Sequence, residues 1–224
     1  MTDQLVLTIA VLGGTGREGK GLAYRWAKAG YRVLIGSRDT GKAQAAAAGI
    51  SDLLHGNALI EGMDNLSAAT EADIAVIAVP YAAHRETIEA VKPALAGKIL
   101  VDVTVPLVPP KVTKVQMPKA GSAAQEACEI LGEGAQVASA FQNISHEHLL
   151  GESKSECDVL VTGTSKETRA EVIKLVEAAD LTGWDAGPIE NSVVIEGLTS
   201  VLININKQYG STHAGIKITG VKDH

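Results

Sequence analysis

Apolar residues come in short runs, and between them lie stretches whose apolar positions recur at helical spacing, so strands and helices alternate along the chain. Residues 6–12 form an apolar run rich in Val, Ile and Leu, as a parallel strand covered on both faces requires. A glycine-rich turn follows, then a helix over 20–29 that Gly30 ends. The alternation continues through strands at 32–35, 58–62, 74–79 and 99–103, with helices at 39–48, 66–72 and 83–95 between them. A helix at 122–131 and a strand at 136–140 complete the run. Such repetition means right-handed crossovers and a parallel sheet, so residues 1–145 read as a doubly wound α/β domain.

Beyond Phe141 the pattern loosens. A polar loop spans 142–156, followed by a strand at 159–162, a helix at 166–178 and a short strand at 184–186. A last helix starts after Pro188 and runs to Tyr209, with Leu198, Val201, Leu202 and Ile205 at helical spacing. Residues 146–224 are expected to form a second, small C-terminal α/β domain, its tail from Gly210 lying over the surface.

The turn after the first strand carries the strongest chemical signal. Gly14, Gly16 and Gly19 fall on G-x-G-x-x-G between a strand and a helix, the fingerprint of a dinucleotide site. Gly14 is read as the tight turn, Gly16 as the point where a diphosphate approaches the backbone, and Gly19 as the place where helix and strand pack closely. The helix start adds unpaired N–H groups and a positive dipole end. Domains specific for NAD put Asp or Glu at the end of the second strand to meet the ribose 2′-hydroxyl. Here Ser37, Arg38 and Lys42 supply a hydroxyl, a guanidinium fork and a second cation, which suit a 2′-phosphate. NADP(H) is therefore favoured over NAD, with Asp39 read as the cap of the next helix.

Composition narrows the partners. Over 224 residues the formal charge is -6 and aromatics are 3%, which leaves neither a basic footprint nor stacking platforms for nucleic acid. No run approaches the ~20 residues of a membrane span, and the polar start Met1-Thr2-Asp3-Gln4 lacks the cations of a signal peptide. Cys128 and Cys157 are isolated, as buried thiols of a reducing compartment would be, so a cytoplasmic protein with a small-molecule ligand is expected.

Other groups read more plainly. Tyr24 and Lys28 spell Y-x-x-x-K on the first helix, behind the diphosphate, where a catalytic role has no geometry. His146 and His148 read as loop histidines lacking the further ligand a metal needs, so no metal is expected. Asn143-Ile144-Ser145 fits a glycosylation sequon that has no meaning in the cytoplasm. His84, near a helix start, reads as solvated or locally bonded. At the strand ends facing the nicotinamide, Ala78-Val79-Pro80-Tyr81 and Val103-Thr104-Val105-Pro106, only Tyr81 and Thr104 could handle a proton. Hydride exchange with an extended ring system needs no such donor, only carbons held about 3–3.5 Å apart with water excluded.

The chain resembles the NADPH-dependent reductases of the deazaflavin coenzyme F420. The resemblance spans nearly the whole length: Leu12-Gly13-Gly14-Thr15-Gly16, Gly19-Lys20-Gly21, Gly36-Ser37-Arg38 with Lys42, and Ala78-Val79-Pro80. It continues in Asp185-Ala186-Gly187-Pro188, Glu196-Gly197-Leu198-Thr199, Asn204 and Gly215-Ile216-Lys217. The resemblance implies a Rossmann domain and a small C-terminal domain with the deazaflavin between them, direct hydride transfer by positioning without a catalytic side chain, and a homo-oligomer, a dimer favoured. It implies 2′-phosphate contacts at Thr15, Ser37, Arg38 and Lys42, and a nicotinamide wall at Val79 and Pro80. Its deazaflavin side falls on Gln142, Asn143, Leu202 and Asn206. Archaeal members have a His near Gln142 and an apolar residue near Asn206, and Gln142 carries no proton at neutral pH. The residues also leave open a reductase of an ordinary flavin or small carbonyl with Tyr81 as donor, and a non-catalytic NADP(H) sensor.

Overall fold

The computed structural model describes residues 6–150 and 156–221; residues 1–5, residues 151–155 of the 142–156 loop and residues 222–224 of the tail lie outside them. Eight strands form one sheet: β1 (Thr8–Leu12), β2 (Arg32–Ser37), β3 (Ile60–Asp64), β4 (Ile74–Ile77), β5 (Ile99–Asp102), β6 (Gln136–Ser139), β7 (Asp158–Gly163) and β8 (Thr182–Pro188). Their order is β3-β2-β1-β4-β5-β6-β7-β8, parallel throughout except for the antiparallel β6–β7 pair. The order reverses between β1 and β4, and a crevice opens there beyond the strands' C-terminal ends.

Helices α1 (Arg17–Lys28), α2 (Thr40–Leu53), α3 (Asn65–Glu71), α4 (Tyr81–Val91), α5 (Ala123–Leu131), α6 (Lys166–Ala178) and α7 (Ser192–Tyr209) complete the chain. Alternate β1 residues feed two cores. Ile9 and Val11 meet Trp26 of α1, Ile50 of α2 and Val172 of α6, while Ala10 and Leu12 meet Ala68 of α3, Ile88 of α4 and Ala127 of α5. Burial on both faces explains why these strands read as continuous apolar runs. Trp26 is fully buried, donates from Nε1 to the Leu175 carbonyl at 2.8 Å and sets its ring edge-on to Phe141.

After β6 the chain reverses direction, and β7 pairs antiparallel through Ala138 with Gly163 and Ser139 with Thr162. Glu196 anchors α7 across the far side. Its buried carboxyl oxygens accept from the Ala123 and Ala124 N–H groups at 2.6 and 3.1 Å, at the positive end of α5. Burial pushes that carboxyl up to about 8 against the pull of these bonds.

His84, read as solvated or locally bonded, is instead fully buried in α4 and bonded across to β5. Its Nε2 lies 2.6 Å from Asp102 Oδ2, and Nδ1 faces Glu126 Oε2 at 3.5 Å. Packing of α4 against β5 and α5 turns the side chain inward. Burial opposes the imidazolium, but the charge and hydrogen bond of Asp102, with Glu126 behind them, outweigh it and raise His84 above its ordinary value.

A histidine raised in the fold stabilises in full below its unfolded value of about 6.5 and loses that contribution as pH climbs through the folded value. Unfolding free energy should therefore fall from about pH 6.5 upward. The fall should be shallower in His84→Gln, which keeps a donor to Asp102 and does not titrate. Urea denaturation across pH reads the difference, and equal slopes would show the native imidazole to be neutral.

Candidate active site

One register line gathers residues far apart in sequence. Leu12 pairs with Gly36 and Ile77, Ile77 with Asp102, and Asp102 with Ser139. The segments just past these residues therefore share one rim: the glycine turn after β1, Ser37 and Arg38 after β2, Ala78–Pro80 after β4, Val103 and Thr104 after β5, and Phe141–Asn143 after β6.

The glycine turn is built by exclusion. Gly13, outside the motif's three glycines, takes the left-handed conformation at φ 71. A Cβ on Gly13 would run into Val79 and come within 3.0 Å of the Ala78 carbonyl oxygen. Gly14 donates to the Val11 and Gly36 carbonyls at 3.1 Å each, and a Cβ there would lie 2.7 Å from Val11 O. A Cβ on Gly19 would lie 2.7 Å from the Gly14 Cα, so Gly19 lets the start of α1 close on the turn. Gly16 differs: its Cβ would meet only Gly13 O at 3.9 Å, so the space above it is open. That space is a cradle a side chain would fill, beside the free N–H groups of α1.

Two cavities meet here. The smaller, about 210 Å³, is lined by Gly13, Thr15, Gly16, Ser37, Arg38, Asn65, Val79 and Pro80 among others. The larger, about 640 Å³, takes in Gly16, Glu18, Gly19, Val79, Pro80, Tyr81, Thr104, Gln142, Asn143, Leu202 and Asn206. Both share Gly16, Ala78, Val79 and Pro80, so the pair forms one groove with a common middle. Asp39 caps α2, accepting from Lys42 N at 3.1 Å, as expected. Lys42 itself lines neither cavity; its Nζ sits 3.6 Å from Asp39 at the exposed edge.

The far wall is fixed by amides with forced orientation. Gln142 donates from Nε2 to Asp102 O at 2.7 Å and Ser139 Oγ at 2.8 Å, and Asn143 from Nδ2 to Ile195 O at 2.9 Å. Carbonyl acceptors require the NH2 side there, so Gln142 Oε1 and Asn143 Oδ1 have no partner among the described residues, nor does Thr104 Oγ1. Phe141 holds the bend at φ 74, a conformation costing about 1–3 kcal/mol in a bulky residue and sustained by its packing on Trp26. Asn206 Oδ1 accepts from Ala214 N at 2.9 Å and folds the tail against the cavity.

Sequence reasoning missed several wall residues. Asn65 accepts from Gly13 N at 3.2 Å through its Oδ1, and nothing in its spacing marked it. His146 reaches the cavity from a 3-10 turn, while His148 sets its ring edge-on to His213. Thr199 donates to Gln142 O at 2.8 Å and ties α7 to the wall. Glu18 also lines the larger cavity, hidden among the unspecified positions of the glycine motif. Tyr24 is buried in the core rather than near the groove, so its spacing to Lys28 is coincidental.

A family model described as NADP oxidoreductase coenzyme F420-dependent matches residues 8–106. An F420-dependent NADP reductase of Methanocaldococcus jannaschii is 38% identical over 224 residues, covering 96% of this chain and 100% of that protein. Another of the same name from Methanothermobacter marburgensis is 40% identical over 225 residues, covering 97% of this chain and 100% of that protein. A crystal structure of an Arthrobacter sp. FB24 protein matches at a TM-score of 0.79 and 26% identity, covering 95% of this chain and 99% of that one.

The open space at Gly16 separates folding from binding. Gly16→Val should melt within a few degrees of wild type, because a Cβ there meets only the Gly13 carbonyl oxygen, at 3.9 Å. Titration with NADPH should nevertheless show binding lost, and a variant that still binds would place the diphosphate elsewhere.

Proposed function

The chain belongs to the coenzyme F420-dependent NADP oxidoreductases, and we propose that its joined cavities seat NADP(H) and the deazaflavin against each other. The activity is hydride transfer between NADP(H) and coenzyme F420. The observation that carries this arrangement is the shared wall of Gly16, Ala78, Val79 and Pro80, which joins the smaller cavity at Ser37 and Arg38 to the larger one at Gln142 and Leu202. Nicotinamide C4 and deazaflavin C5 supply the redox chemistry, and the chain supplies placement.

On this reading Gly14, Gly16 and Gly19 shape the diphosphate cradle, and Thr15, Ser37, Arg38 and Lys42 meet the 2′-phosphate. Val79 and Pro80 hold the nicotinamide face. Gln142 and Asn143 present amide oxygens to ring N–H groups, and Leu202 and Asn206 close the cleft from α7. Residues 146–224 thereby act as the small domain that completes the deazaflavin side. Both open acceptor atoms and open space at the cradle support the fit. The same reading puts the enzyme in the cytoplasm, with its two coenzymes.

It also makes the enzyme a homodimer. Val194, Val201 and Ile205 lie exposed along one side of α7, a stripe that a second copy would cover. Val201→Glu should then sediment as a folded monomer, and a wild-type monomer would end this part of the proposal.

NADPH absorbance decay tests the reaction, with coenzyme F420 and separately with FMN as acceptor. Rapid loss with the deazaflavin alone is expected; turnover with FMN alone would reassign the acceptor. Arg38→Ala should weaken NADPH by roughly 10- to 150-fold, the equivalent of about 1.5–3 kcal/mol, and leave NADH unchanged. Equal losses for both would mean the 2′-phosphate site lies elsewhere.

A further inference from the structure

Hydride alone does not complete the reduction of a deazaflavin. Two electrons and one hydrogen arrive at C5, and the negative charge that shifts to ring N1 must be met by a proton from the medium or the protein. The wall residues read from sequence do not provide it. Tyr81 is pushed up to about 12 by burial and by Glu126, so it holds its proton too tightly to give it readily. Gln142 has no proton to exchange at neutral pH.

Glu18 stands in the first turn of α1 and lines the same cavity as Gln142 and Leu202. Its Oε1 is shut off from solvent and, among the described residues, has no hydrogen-bond partner. A carboxyl left this way in a coenzyme cleft is a functional group awaiting its counterpart. We propose that Glu18 gives a proton to the deazaflavin ring as it is reduced and takes one back in the reverse reaction, an inference that rests on the reading above. The carboxyl O–H bond breaks as the ring N–H bond forms, while the C4–H electron pair becomes the new C5–H bond. The carboxylate left behind regains its proton from water when the reduced coenzyme leaves.

Burial pushes the Glu18 carboxyl up to about 8, so at neutral pH it carries the proton the step consumes. The other titratable groups lining the cavity are Arg17 beside it on α1, Tyr81 on α4 and His146 on the 3-10 turn. Burial alone accounts for the shift, so these neighbours leave the acid neutral rather than ion-paired.

The test uses wild type, Glu18→Gln and Glu18→Leu, each checked first for NADPH binding, which should stay within a few-fold. In wild type the rate of deazaflavin reduction should fall as pH rises through about 8, and the rate of oxidation of the reduced coenzyme should rise over the same span. Glu18→Gln should lose both limbs and run on the order of 10²-fold slower in each direction at its wild-type optimum. Glu18→Leu should match it, showing that polarity alone does not serve. Infrared difference spectra of the free proteins give a second readout: a protonated-carboxyl band in wild type, titrating near pH 8 and missing in Glu18→Gln. Unchanged pH limbs in Glu18→Gln, or no such band, would overturn the inference while leaving the reaction intact. Wild type inert toward the deazaflavin would instead overturn the functional reading beneath it.

Discussion

Asp102 lies fully buried at the end of β5, and removing its charge from water costs several kcal/mol unless partners surround it. Those partners build the acceptor side of the cleft. His84 holds one carboxylate oxygen from α4, and the Thr104 N–H donates to the other at 2.9 Å, which turns the chain into the cavity. The backbone carbonyl of the same residue takes the Gln142 amide. Gln142 is thus aimed by the end of a strand rather than by its own loop. Asn143 and Thr199 extend the tie to α7, so sheet, loop and last helix share one polar seam.

The two halves of the groove follow opposite logics. On the nucleotide side the work is done by side chains that are absent, since Gly13, Gly14 and Gly19 exist to let backbone meet backbone. Charge stands at the edge, in exposed Arg38 and Lys42, where water keeps long cations solvated. On the acceptor side the polar atoms are neutral, buried and oriented in advance. A protein with formal charge -6 thereby accommodates anionic coenzymes without a broad basic surface.

Much of the nucleotide half was legible in the sequence, because its signals are local. Apolar runs mark strands buried on both faces, and the glycine spacing marks the turn. The spacing did not single out Gly13, which takes the left-handed position, since a motif records which residues lack a Cβ and not which φ each adopts. The acceptor half was legible only through resemblance. His84 read as solvated or locally bonded because helix position says nothing about what α5 and β5 bring against it. Antiparallel entry of β7 rests on Ala138, Ser139, Thr162 and Gly163, too short a ladder to leave a periodic trace. Glu18 was passed over for a related reason: the fingerprint reads its glycines and treats the residues between them as blanks.

The common register of Leu12, Gly36, Ile77, Asp102 and Ser139 has a consequence for how such a protein changes over generations. The walls at the strand ends are loops or helix starts that begin just past the same line, and α7 with the tail closes the groove from the other side. Mutations in those segments alter what is gripped, while the strands behind them keep their pairing and the two cores keep their packing. Drift toward a new acceptor therefore need not trade away the stability of the sheet. The exception is Asp102, which belongs to both sides of the line; lineages that keep the cleft would be held longest at that position.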